Sequence, residues 1–497
     1  MMNSGGTYSK IIGAIYVFNL IVGTGSLAIP KSFLESGYIL GSLGLLGMAF
    51  LSFITVTYLI ETMSILNAYR HIKYQTELSD ENRLLSDHSI PFRLYEKIEM
   101  LDMVKSLYGK IVTFLFLLNI TIYLYGDIAI YSAIVAKSFR NMMCDPTLVN
   151  STSGGKFQHF LQLMLSSSSD NDALCWSIST LTRINVYRIF LVAFLVVIFP
   201  TYLFRANWIQ LTASIYRWIS LFTMIILAFI RIFYLHQDPP QILDPIPHPK
   251  PFLFKGILSL VGILIYSFMC HHSLPGIITP IRNNHKDLIL KFFTPIYLVI
   301  LCLYFLLSIS AVFAFNSIED FYTLNFIPED LSKVSTFMKI IDYFLVVYPV
   351  VAVTSNFSIM SNTLSENLMT IIPYKNSNEK VNKLLYGLLA IIPGILIAMT
   401  TSDIEFLVSF TGAFAGSGIQ YIFPVLVIYK AKQLRQSEVF QEWEKKVEEE
   451  PDLSLSSIEY HKSKFTSKLW YIGLLIWSLM GVVMILTKKI MELVQKS

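Results

Sequence analysis

Charge is scarce in this chain. Only 14% of its 497 residues are Asp, Glu, Lys or Arg, whereas 54% are hydrophobic, and mean hydropathy is +0.57. That balance excludes a soluble protein of this length and indicates a polytopic membrane protein. Cysteine is scarce as well: four residues cannot make a disulfide-built scaffold. Enzyme signatures are missing, since no Walker sequence, HExxH or GxSxG occurs, and no cofactor motif accompanies them. A cleavable signal peptide is not evident. The first apolar stretch runs on to bilayer length and reads as an uncleaved anchor. The formal net charge of +4 belongs to the loops and does not indicate a nucleic-acid partner.

What the chain does contain is apolar length. Eleven stretches approach the ~20 residues of a spanning helix. They run near 11–34, 38–66, 110–137, 184–204, 207–235, 254–279, 292–315, 338–364, 383–400, 404–430 and 469–487. The expected fold is therefore an all-α bundle of about eleven transmembrane helices in the lipid bilayer. Its parts are a core over 1–432, a linker over 433–468, and an eleventh span with its tail over 469–497. Lys and Arg crowd the loops near 67–109, 280–291, 367–383 and 431–468, which predicts that these loops and the N-terminus are cytosolic. The opposite loops hold far fewer, among them Arg140, Lys156, Lys250, Lys255 and Lys333, although Lys488, Lys489 and Lys496 at the far end run against the rule.

Cys144 and Cys175 share one predicted lumenal loop (138–183) with the sequon at Asn150. An oxidising compartment would allow a Cys144–Cys175 disulfide and a glycan there, and two free thiols are the alternative. Cys270 and Cys302 fall inside apolar stretches and read as small core residues. Residues 95–108 place Ile98, Leu101, Val104 and Leu107 at helical spacing, which predicts an interfacial helix. The run 441–450 reads as a charged, solvated helix or linker. Asp80 to Leu85 fits an acidic dileucine sorting signal ending in Leu84 and Leu85, so an endolysosomal membrane stands beside the plasma membrane as the expected location.

Two spans are interrupted. Gly23-Thr24-Gly25 sits mid-way along the first, where glycine is a poor helix former. The reading is either a broken helix that aims its ends at a ligand or close helix packing through Gly23, Gly25 and Ser26. The sixth span carries CHHSLPG, and Pro275 with Gly276 predicts a second break at His271–Gly276. Interrupted spans at matching positions of two five-span halves point to a transport site. Polar side chains gather around both: Asn19 and Thr24 at the first, His271, His272 and Ser273 at the second, with Thr354, Ser355 and Asn356 in the eighth span. Each either lines a cavity or bonds a neighbouring helix. Asp127 lies alone in the third span as a proton site, a structural ion pair or a cap for a bent helix at Gly126. The two histidines are either proton relays or fixed by a carbonyl, and no third ligand at metal spacing accompanies them.

These motifs carry a family resemblance. FNLIVGTGSLAIPKSF, YLYGDIAIY, YSFMCHHSLPGIITP, YTLNF at 322–326 and TGAFAGSGIQYIFP at 411–424 resemble the amino acid/auxin permease family, in the same order and with similar spacing along nearly the whole chain. Loops 67–109 and 431–468 and residues 147–175 match poorly. The resemblance implies a five-plus-five inverted repeat with broken helices 1 and 6, and secondary transport of amino acids driven by Na⁺ or H⁺. Its pattern falls on Asn19, Gly23 and Gly25, on Cys270 and His271, on Gly126 and Asp127, and on Thr411, Gly412, Ala413 and Phe414. The chain departs from it at the Ser-Leu-Pro-Gly after His272 and at Ser355-Asn356.

The expected function is an ion-coupled symporter of amino acids. Gly23, Thr24, Gly25, Ser26, His271, His272 and Ser273 are the substrate candidates, and Asn19, Asp127, Thr354 and Ser355 the ion or proton candidates. The alternative is a non-transporting sensor that binds a cytosolic partner through loops 67–109 and 433–468.

Overall fold

The computed structural model describes residues 8–77, 92, 94, 96–144, 173–176, 181–203, 207–237, 247–281, 289–326, 336–372, 379–449 and 461–496. Among the described residues the chain is helical, without a strand. The first span is α1 (Lys10–Ile21) and α2 (Gly25–Ser36), bent by 50° at the Gly-Thr-Gly. Then come α3 (Tyr38–Glu77), the short α4 (Met100–Leu107), α5 (Lys110–Met143), α6 (Arg183–Leu203) and α7 (Asn207–Gln237). The sixth span is α8 (Ile257–Ser267) and α9 (Leu274–Ile278), followed by α10 (Ile289–Ala314), α11 (Thr336–Ile371) and α12 (Glu379–Thr400). The tenth span starts as α13 (Ile404–Phe410), widens into π turns over Thr411–Gly416 and Gly418–Ile422, and ends as α14 (Phe423–Arg435). Outside it lies α15 (Glu438–Glu449), and α16 (Lys468–Lys496) is last.

Nine of these helices are long and apolar enough to cross a bilayer by themselves among the described residues, and the bent first pair makes a tenth. The shorter apolar Phe254–Ser267 segment holds the sixth position, so the eleven expected stretches are all helical. The chain is an all-α multi-pass membrane protein. Its two interrupted spans are the first and sixth, five apart, and α2 packs along α8. Several helices overrun their apolar stretch: α3 reaches Glu77, where 66 was expected. Helix hydrogen bonding does not stop at the edge of hydrocarbon, so hydropathy marks the bilayer and not the helix end. Between α2 and α3 the chain turns at Gly37, whose φ of 87° disfavours any side chain and whose missing Cβ would lie 2.6 Å from the Pro251 carbonyl.

The sixth span breaks earlier than expected. The helix ends at Ser267 and resumes at Leu274. Pro275 stands in the first turn of α9, where its missing N–H would have had no helical acceptor. The proline starts a half-helix rather than kinking one.

The face at which α1 begins is called here the N-terminal face, and the opposite one the disulfide face. On the latter, Cys144 and Cys175 are joined, and Asn150 lies outside the described residues. On the former, the helix expected within 95–108 forms as α4. Met100, Met103 and Val104 are buried against α5 and α14, because the two methionines widen the apolar face beyond the four residues at helical spacing. The charged run after Arg435 forms α15 and docks on α3 through buried Phe440 and half-buried Trp443. It is therefore not fully solvated. Arg435 stacks over the Phe92 and Phe440 rings at 5.1 and 4.8 Å and pairs with Glu444. Leu84 and Leu85 lie outside the described residues. Cys270 is buried, whereas Cys302 is exposed on α10 rather than in the core, since one side of that span faces outward.

Candidate functional site

The two breaks meet in the middle of the bundle. Gly25 packs so closely on the end of α8 that a Cβ there would lie 2.6 Å from Ser267 Oγ and 2.9 Å from Ser267 Cα. Gly23, two residues earlier, faces open space, with nothing within 4 Å of the position of a Cβ. The two glycines therefore do different jobs: Gly25 lets the half-helices touch, and Gly23 borders a gap. The Ser26 hydroxyl turns back to donate to the Gly23 carbonyl at 2.7 Å. Tyr304 of α10 places its hydroxyl 3.0 Å from the Ile21 carbonyl and 3.2 Å from that of Ser267. These carbonyls end α1 and α8, where a helix leaves its last acceptors unpaired.

Asp127 of α5 faces this junction. It is 1% exposed, the hydroxyls of Tyr123 and Tyr266 face its carboxyl, and Oδ1 has no hydrogen-bond partner among the described residues. The Thr24 hydroxyl lies 3.4 Å from Tyr266 Oη. Tyr131 sits one turn further along α5 and faces Tyr266 and Asn356 of α11. The His272 ring stacks at a tilt on Tyr123, centroids 5.5 Å apart, and neither of its nitrogens has a partner among the described residues. Thr24, Asp127, Tyr123, Tyr266 and His272 thus form one polar cluster.

Other expected residues lie outside this cluster. His271 turns to the second span, with Nε2 2.8 Å from Thr55 Oγ1. Ser273 leads into α9. Thr354 donates to the Val350 carbonyl of its own helix at 2.7 Å, and only the backbone of Ser355 is described. Asn19 donates its side-chain amide to Ser214 Oγ of α7, and its carbonyl accepts from Arg217. Among the described residues no cluster of three His, Cys, Asp or Glu side chains could hold a metal.

Side-chain ties join helices toward both faces of the bundle. On the disulfide face, Lys31 Nζ lies 2.7 Å from Asp320 and 3.1 Å from Glu405. Lys137 takes the other Asp320 oxygen at 2.5 Å, and Lys488 of α16 reaches Glu405 at 2.8 Å. Asp320 lies in the loop after α10. Burial alone would push its carboxyl up; the ammonium groups of Lys137 and Lys31 outweigh that and hold it well below the usual carboxylate range. Lys488, one of the three lysines that ran against the expected charge pattern, thus has an acidic partner. On the N-terminal face, the Tyr8 hydroxyl donates to Ile277 and its N–H to Pro280, tying the start of α1 to the end of α9.

Sequence reasoning missed Arg217, Lys31, Asp320 and Glu405. Arg217 had a visible signal, an arginine inside an apolar stretch, by the rule that singled out Asp127.

Comparison with known proteins agrees with this architecture. The family described as transmembrane amino acid transporter protein matches residues 6–448. The transmembrane protein 104 homolog of Drosophila melanogaster is 33% identical over 523 aligned residues, covering 96% of each chain. Transmembrane protein 104 of Homo sapiens is 33% identical, with 86% of this chain and 89% of that one covered. The Caenorhabditis elegans homolog is 30% identical over 97% of each. Eleven helical stretches, two facing breaks and a match along nearly the whole length lead to one conclusion: the chain belongs to the transmembrane amino acid transporter family, among the proteins similar to transmembrane protein 104.

Proposed function

We propose that the chain is an ion-coupled secondary transporter of amino acids or similar small solutes bearing a carboxylate. The observation that carries this reading is Asp127, buried between two helix breaks with one carboxylate oxygen unpaired. The head of α2 presents a positive dipole end to a substrate carboxylate, with the Thr24 and Gly25 N–H groups as its donors, since those of Ser26 and Leu27 bond the Gly23 and Thr24 carbonyls. Gly23 leaves room beside it. Asp127 takes up the coupling proton, and the phenols of Tyr123 and Tyr266 reorient as its charge changes. Because Asp127 is buried, substrate reaches it only when one set of ties opens. The disulfide and the lysine-poor loops support a lumenal disulfide face and a cytosolic N-terminal face.

The test is uptake into proteoliposomes, with a panel of amino acids and imposed Na⁺ or pH gradients. Wild type is expected to accumulate at least one amino acid. Asp127→Asn should abolish accumulation driven by a pH gradient while exchange at equal pH persists. If no solute moves under either gradient, yet an amino acid raises the melting temperature, the chain is a sensor that keeps the transporter fold.

A further inference from the structure

The connection into the eleventh span forms a strap across the second. Along residues 461–464 the side chains alternate as in an extended chain: His461 and Ser463 are buried, whereas Lys462 and Lys464 are exposed. The inner side is fastened to α3. The Ser463 N–H donates to Glu61 at 3.0 Å, its hydroxyl lies 2.7 Å from that of Thr57, and the Tyr58 hydroxyl donates to the Phe465 carbonyl. Glu61 is buried and also takes Lys432 of α14 at 3.7 Å, and Lys432 stands over the Tyr471 ring. Lys462 is close enough to act on the charges of both Glu61 and Lys432.

The outer side has no such partner. Lys462, Lys464 and Lys468, the first residue of α16, are exposed and form no ion pair among the described residues. Glu61 is turned inward and engaged by Lys432 and the Ser463 N–H. No acidic residue stands in the first turn of α16 to balance Lys468. Just past the lysines the surface turns apolar. Leu469 is 81% exposed and Ile472 55%, on one face of α16. Phe50 of α3 is 45% exposed and packs its ring on Phe465 and Trp470, centroids 5.6 and 5.8 Å apart. Aromatic rings of this kind gather where a span meets the headgroups. A water-soluble polyanion would match the lysines alone. A phospholipid offers an anionic headgroup and then a hydrocarbon chain, in the order in which the surface presents ammonium groups and then apolar side chains.

We propose that the strap is a docking site for an anionic phospholipid of the leaflet on the N-terminal face. Its headgroup lies on Lys462, Lys464 and Lys468, and an acyl chain runs along Phe50, Leu469 and Ile472. Three neighbouring ammonium groups repel one another when bare, and the headgroup removes that repulsion. Because the strap joins α3 to α16, the bound lipid holds the second and eleventh spans together. Anionic lipids are concentrated in cytosolic leaflets, which agrees with a cytosolic N-terminal face. The site does not depend on the chain being a transporter.

The test is thermal melting of the purified full chain in nanodiscs of phosphatidylcholine, alone or mixed with phosphatidylserine of the same acyl chains. Phosphatidylserine should raise the melting temperature of wild type. The triple variant Lys462→Gln, Lys464→Gln, Lys468→Gln should lose that rise, and arginine at the same three positions should keep it. A second triple variant, Lys105→Gln, Lys110→Gln, Lys291→Gln, removes as many exposed lysines elsewhere on the N-terminal face and should also keep the rise. Equal loss in the two glutamine variants would overturn the site, because the diffuse charge of the face would then account for the effect. The absence of any rise in wild type would overturn it as well. So would an equal rise from soluble glycerophosphoserine added to phosphatidylcholine discs, since the acyl chain would then play no part. If the glutamine variant at the strap does not fold, wild type decides through phosphatidylserine carrying a photoreactive acyl chain. Label on Phe50, Leu469 or Ile472, displaced by unlabelled phosphatidylserine and not by phosphatidylcholine, is the expected result. Label confined to other helices overturns the proposal.

Discussion

The Tyr304 hydroxyl stands 3.0 Å from the carbonyl oxygen of Ile21, the last residue of α1, and reaches the matching end of α8 at Ser267 from the same atom. A phenol has one proton, so it satisfies one carbonyl at a time. The residue couples the two breaks, but unequally: the Ile21 carbonyl also accepts from the Gly23 N–H at 2.8 Å, so the Ser267 carbonyl is the end that depends on the phenol. Tyr304→Phe keeps the ring and removes the donor. It should cost about 1–3 kcal/mol, the penalty of an unsatisfied buried acceptor, read as a lower melting temperature of a folded protein. Unchanged melting would mean that neither carbonyl depends on Tyr304.

The glycines of the first break separate packing from site. At Gly25 a methyl group would press on the backbone of Ser267 and the ring of Tyr266. Gly25→Ala should destabilise by about 1–3 kcal/mol through overpacking. At Gly23 the same methyl enters open space, so Gly23→Ala should stay within about 0.5 kcal/mol of wild type. Lost uptake in Gly25→Val would report a damaged helix contact. Gly23→Val, folding normally and failing to transport, is the sharper probe of the binding gap. Equal melting of Gly23→Ala and Gly25→Ala would refute the division.

The legible parts of this fold were those that leave a mark within about twenty residues. Apolar length gave the spans, and Gly-Thr-Gly marked the first break because glycine in a membrane helix needs a reason. Asp127 was visible as a lone charge in hydrocarbon. Arg217 carried the same mark but sat in a span without a break, where nothing else drew notice. The second break was placed too late because a proline signals both the kink of a helix and its start, and only the backbone distinguishes them. His271 and Thr55 are 216 residues apart, and Lys31 and Asp320 are 289 apart. No local pattern announces such pairs. The tyrosines around Asp127 were equally hidden, since tyrosine is common in apolar spans and becomes informative only when several hydroxyls face one carboxylate.

The Cys144–Cys175 bond closes a 31-residue separation. Beside it, Trp176 donates to the Met143 carbonyl at 2.9 Å, and Cys175 N–H bonds Leu181. Cys175→Ala should cost about 2–4 kcal/mol. Melting wild type with and without reductant checks this, and the variant should show no response to reductant. An equal melting temperature for the two proteins without reductant would make the bond dispensable for stability.

The ion pairs on the disulfide face give a pH prediction with a definite sign. Lys31 and Lys137 grip Asp320 from both oxygens and depress its pKa in the folded protein. A carboxyl with a depressed folded-state pKa stabilises the fold above its unfolded value, and that stability is lost as pH falls through the folded one. The unfolded value is about 3.9. An acidic lumen near pH 5 would therefore leave the tie intact. Asp320→Asn keeps the shape but removes the charge, and should cost about 1.5–3 kcal/mol, as for hydrogen bonds to charged groups. The gap in melting temperature between wild type and Asp320→Asn should stay constant from about pH 7 to about pH 5 and narrow only below the ordinary carboxylate range. Were the gap to close already between pH 7 and pH 5, acid would open this face directly, and Asp320 would be a proton sensor instead of a fixed anchor. Under a constant gap, Asp320 is freed by movement that separates it from Lys31 on α2 and Lys137 on α5, and not by protonation.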